Sequence, residues 1–97
     1  MSRAQDLLDQ AVEMIGSAGQ KIDDKGLAAR ASIVAAELKA QREKFFFKSL
    51  VGVPLANKAR GGAEALARNP SAAGVEALEA VVVEIKGKAD APGTVLT

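Results

Sequence analysis

Apolar residues recur along the first half of the chain in alternating steps of four and three. One run is Ala4, Leu8, Ala11, Ile15, Ala18 and Ile22. The next is Leu27, Ala31, Val34, Leu38, Gln41 and Phe45, with Gln41 as a single polar interruption. That rhythm matches 3.6 residues per turn and fits no strand, so it predicts two amphipathic helices. Alanine holds every second seam position of the first run (4, 11 and 18), which lets a neighbouring helix approach closely. Ser2 followed by Gln5 has the pattern of a capping box, and Asp6 adds negative charge to the first turn. Gly16 and Gly19 each weaken the helix by about 1 kcal/mol relative to alanine, so an early end is expected. Asp23 or Asp24 caps the second helix, and the short Asp23-Asp24-Lys25-Gly26 turn predicts an antiparallel hairpin.

The second helix is expected to reach about Leu50, where Gly52 and Pro54 stop it. Residues 55–68 read as a weak helix broken at Gly61-Gly62. Asn69-Pro70 reads as a helix start, with Asn69 as N-cap and Pro70 at the first helical position. Val75, Leu78, Val82 and Ile85 return to the three-four spacing of a last helix. Val81, Val83 and Ile85 also alternate like a strand, but only residues 94–97 would remain to pair with it, and a two-stranded ribbon is poorly stable. Helix is therefore the expectation. The fold class is all-α: a small helical bundle with an N-terminal antiparallel helical hairpin and a C-terminal helix. One domain is expected over residues 1–87, with a mobile tail at 88–97.

Composition narrows function more than it assigns it. The 97 residues include no Cys, no His, no Trp and no Tyr. Disulfides and thiolate metal sites are excluded, and so are the commonest general base and the commonest transition-metal ligand. Asp6, Asp9 and Glu13 share a helix face, and Glu76 and Glu79 lie a turn apart, but a bundle metal site also needs a Glu-x-x-His element. These carboxylates read as solvated faces. Gly16-Ser17-Ala18-Gly19 and Gly61-Gly62 lack the Gly-Lys-Ser/Thr of a phosphate loop. No catalytic residue, metal or cofactor is assigned, and the chain reads as a non-enzyme without a small-molecule substrate. A core of Ala, Leu, Val and Ile buries little area per residue, so association would help it. The N-terminal sequence has no apolar signal region, and no run of about 18 apolar residues exists. A cytoplasmic or virion-internal location is expected, with signal-less secretion open.

Phe45, Phe46 and Phe47 are the only aromatic residues, and they stand between Lys44 and Lys48. On a helix, consecutive side chains diverge by about 100°, so one stripe cannot bury all three. Counted from the hairpin seam, Phe45 lies in line, Phe46 and Leu50 on the flank, and Phe47 and Val51 nearly opposite. Either the last helix folds back over Phe47 and Val51, or a partner covers them. The candidate partner surface is Phe46, Phe47, Leu50, Val51 and Val53.

Charge is segregated. Residues 1–24 hold two basic and five acidic side chains, residues 25–68 nine and three, and residues 69–97 two and four. Segments packed side by side would neutralise one another. The alternative is an anion-facing surface of Lys39, Arg42, Lys44, Lys48, Lys58 and Arg60, directed at nucleic acid or an anionic membrane.

Ala65-Leu66-Ala67-Arg68-Asn69-Pro70-Ser71 resembles the helix–Asn-Pro-Ser–helix turn of type III secretion needle and inner-rod subunits, small Cys-free hairpins that polymerise. The likeness covers this turn and its flanks. The second Asn-Pro of the needle turn is replaced by Ala72-Ala73, and a long hairpin precedes it, so no function is carried over. The functional expectation is a non-catalytic protein–protein interaction or assembly module, self-associating or binding one protein partner. Its specific version is a small structural component of a phage particle or secretion machine.

Overall fold

The structure, a computed structural model, describes residues 2–89. Helices α1 (Arg3–Gly19), α2 (Lys25–Gln41), α3 (Val53–Arg68) and α4 (Ala72–Ala89) make up most of it, and no strand occurs among the described residues. Val81 to Val83 are helical, so the strand alternative is set aside. The tail expected at 88–97 falls largely outside the described residues, and α4 itself continues to Ala89.

Ser2 and Gln5 form the expected capping box, and Asp24 caps α2 by accepting from the Leu27 N–H at 2.9 Å. The first seam is buried as its spacing requires: Ala4, Leu8, Ala11, Ile15 and Ala18 all lie in the core. In α2 the seam holds through Ala31, Val34, Leu38 and Gln41. α1 runs through Gly16 and ends at Gly19, short of the last seam residue Ile22.

The helices form two hairpins laid side by side. α1 packs on α2 and on α3, and α4 packs on α3 and on α2, which leaves α2 and α3 diagonal to each other. Ion pairs report the directions. Arg30 pairs with Glu79 and, one heptad on, Glu37 pairs with Lys86, so α2 and α4 run parallel. Lys58 pairs with Glu84, whereas Gly62 lies against Leu78 and Gly74 against Leu66, so α3 and α4 are antiparallel. The chain must therefore cross one end of the bundle diagonally between α2 and α3.

Three expectations are corrected here. Residues 42–50 do not prolong α2, which ends at Gln41. Phe45–Lys48 and Leu50–Gly52 are short 3₁₀ turns, and Pro54 opens α3 rather than stopping α2. A continued helix would have left Phe47 on the wrong side. Breaking it swings Phe46 and Phe47 inward, where their rings meet edge to face at 5.0 Å. Second, α3 runs unbroken through Gly61-Gly62. A Cβ on Gly62 would stand 2.9 Å from the Leu78 side chain, so this glycine is where α4 comes close. Third, Asn69 closes α3 instead of opening α4. Ser71 opens α4: its Oγ accepts from the Gly74 N–H and its carbonyl from the Val75 N–H. The helical hairpin around the Asn-Pro-Ser turn itself is present.

Candidate functional site

The diagonal link, residues 42–52, is held from beneath by the start of α1. Ser2 Oγ accepts from the Gln5 N–H and donates to the Phe47 carbonyl, while Gln5 Nε2 donates to the Arg42 carbonyl at 2.9 Å. The capping box thus serves two purposes, opening α1 and seating the crossing segment above it. Arg42 adds an ion pair to Asp9 at 2.8 Å and another to Glu43. The hydrogen bond with Asp9 holds the Arg42 guanidinium above its ordinary range. Ser49 Oγ donates to the Phe46 carbonyl at 3.2 Å. Gly52 is buried where a Cβ would stand 2.6 Å from the Phe46 carbonyl oxygen and 2.8 Å from the Phe47 ring. Only glycine lets the second 3₁₀ turn lie so close on the first.

The five residues expected to meet a partner divide in two. Phe47 is wholly buried and Phe46 nearly so, packed in one core with Leu8, Leu38 and Ile85. In this fold they are core residues, because the link turns them into the bundle end. Leu50 and Val51 project outward with 77% and 63% of their surface exposed, and Val53 is half-buried. The last helix approaches the first 3₁₀ turn but leaves Val51 uncovered. Phe45 was expected in the hairpin seam and is instead 60% exposed, since α2 stops before reaching it. The outward surface of the link is therefore Phe45, Leu50 and Val51, accompanied by the exposed Lys44 and Lys48. Its sequence signal was Gly52 followed by Pro54, which marks a new helix start as readily as an old helix end.

Of the six basic residues considered for anion binding, Lys39 lies near the end of α2, Arg42, Lys44 and Lys48 on the link, and Lys58 and Arg60 on α3. Lys58 turns to Glu84 of α4 at 2.7 Å, and Arg60 turns the other way to Gln10 of α1 at 2.7 Å. Arg42 is engaged by Asp9 and Glu43. Pairing between helices from the basic middle and the acidic ends accounts for much of the charge segregation. Among the described residues no three Asp or Glu side chains gather where they could hold a metal ion. A shallow cleft of about 270 Å³ between α1 and α2, lined by Ile15, Gly16, Ser32 and Ala35 among others, has no ionisable side chain in its wall. Among the described residues no helix is long and apolar enough to cross a membrane.

Comparison with known proteins adds no relative: no protein family, no curated protein and no solved structure matches this chain.

Proposed function

We propose that the chain is a non-catalytic interaction or assembly module that meets a protein surface through the outer side of its diagonal link. The observation that carries this reading is the division of the link. Phe46, Phe47 and Gly52 anchor it in the core, while Phe45, Leu50 and Val51 are offered to the outside on the same short segment. A segment already ordered by its buried half loses little freedom when its exposed half is covered. An apolar centre inside a polar rim is the common make-up of a contact surface.

Isolation of the full chain with its partners from the native host tests the reading, with a Leu50→Ser/Val51→Ser variant alongside. Both side chains are exposed, so the variant should keep the helicity of the wild type. The expected result is a specific protein partner, or a higher assembly in sedimentation, that the variant loses. A strictly monomeric wild type that captures nothing would overturn it.

A further inference from the structure

We propose that the paired outer face of α2 and α4 docks a second copy of this chain about a two-fold axis. This face is distinct from the link, and the inference stands whether or not the link binds a partner.

On α2, Ala29, Ile33, Ala36 and Ala40 are all exposed. Their spacing of four, three and four makes a second seam on the side of the helix away from the core. On α4, Ala73, Ala80 and Val83 face outward in the same manner, with Glu76 as the charged member of that line. The two largest outward apolar side chains are Ile33, 60% exposed, and Val83, 71% exposed. The parallel register of the ion pairs sets them at one level. Ile33 lies between Arg30 and Glu37 on α2, and Val83 between Glu79 and Lys86 on α4. The face is thus an apolar centre with small residues around it, bracketed by one ion pair above and one below.

The order of the charges identifies the occupant. At the upper level the positive charge is on α2 and the negative on α4; at the lower level the signs are reversed. Such a chequered square is its own complement. Turned over by a two-fold axis lying in the face, along the helices or across them, every cation of one copy falls opposite an anion of the other. A two-fold interface requires this self-match, and an unrelated partner would have to supply it by coincidence. The two ion pairs balance and Glu76 adds one negative charge, so the face gives no attraction to a polyanion.

The area sets the strength. A 17-residue helix is about 25 Å long, and two helices at about 10 Å spacing offer roughly 500 Å² per copy. Two copies would bury about 1,000 Å², the lower bound for a specific interface. The association is therefore weak and concentration-dependent.

Sedimentation of the full chain from about 10 µM to about 1 mM tests it, with circular dichroism as the check on folding. The expected result is a reversible monomer–dimer equilibrium. An Ile33→Asp/Val83→Asp variant should weaken it at least about tenfold at unchanged helicity, and Leu50→Asp should leave it intact. A chain that stays monomeric throughout would overturn the proposal. So would a dimer that survives Ile33→Asp/Val83→Asp; if Leu50→Asp abolishes that dimer, the contact belongs to the link.

Discussion

The two layers of the bundle are built differently. α1 and α3 are one-sided: α1 sends Leu8, Ala11 and Ile15 inward and Asp6, Asp9, Glu13 and Ser17 outward, while α3 sends Ala56, Ala59 and Ala63 inward and Asn57, Lys58 and Arg68 outward. They are also the most closely packed pair, as two alanine-rich inner faces allow. α2 and α4 are two-sided. Each buries one apolar line and exposes another, with Ile33 and Val83 as the largest outward members. All four helices supply the core, but only α2 and α4 carry a second apolar line beyond what the core uses. A helix apolar on both sides is ordinarily covered on both sides.

Several substitutions would break or sharpen that contrast. The largest effect is expected at Phe47, which the link presses between the layers. Phe47→Ala should lower unfolding free energy by about 3–5 kcal/mol, read by urea denaturation; a loss of less than about 1 kcal/mol would mean that the ring does not hold the layers together. Gly52→Ala comes next, since its methyl group would meet the Phe46 carbonyl. About 1–3 kcal/mol should be lost, with a lower thermal midpoint. The two buried glutamines extend the comparison inward. Gln5 of α1 is bonded to Ser2 and Arg42, whereas the Oε1 of Gln41 in α2 finds no partner among the described residues. Gln41→Leu should therefore stabilise the chain by about 1 kcal/mol, and Gln5→Leu should destabilise it.

Ile33→Ala separates the layers at lower amplitude. At high dilution it should change stability by less than about 0.5 kcal/mol. At high protein concentration it should reduce the thermal midpoint, because only there would the proposed dimer cover the outer face of α2. The smallest expected effect is acidification. The hydrogen bond from Arg30 holds the Glu79 carboxyl below its ordinary range. Its contribution is therefore full above the carboxyl's unfolded value and lost as pH falls through the lowered folded one. Both side chains are exposed, so the slope in a pH series should be slight. The Glu79→Gln variant should lose it.

Much of this fold was legible in the sequence, and the failures share one cause. The seams through Leu38, the capping box at Ser2, the cap at Asp24 and the Val75–Ile85 line are set by neighbours three or four residues away. The link is not. Its conformation depends on Ser2 and Gln5, some forty residues distant, which donate to the Phe47 and Arg42 carbonyls. A helical wheel drawn through Phe45 presupposes the helix whose absence is the main fact. Gly61-Gly62 misled in the same way, because the reason to keep glycine in a helix was Leu78 on another element. The conspicuous triple phenylalanine correctly marked the segment, but local spacing assigned the wrong ring to the outside. The α2–α4 face was missed because its alanines are small enough to pass as filler.

The diagonal crossing also bears on how quickly the bundle assembles. An up-and-down bundle with sequential neighbours closes mostly short loops and folds rapidly. Here α1 must find α3, and α2 must find α4, each across about half the chain, as the Gln10–Arg60 and Arg30–Glu79 contacts show. Each hairpin can form from local contacts, but the step that joins them must close a long loop before the parallel pairs reward it. For an all-helical chain of this size, folding should be slow, and the link should be the last part to become native.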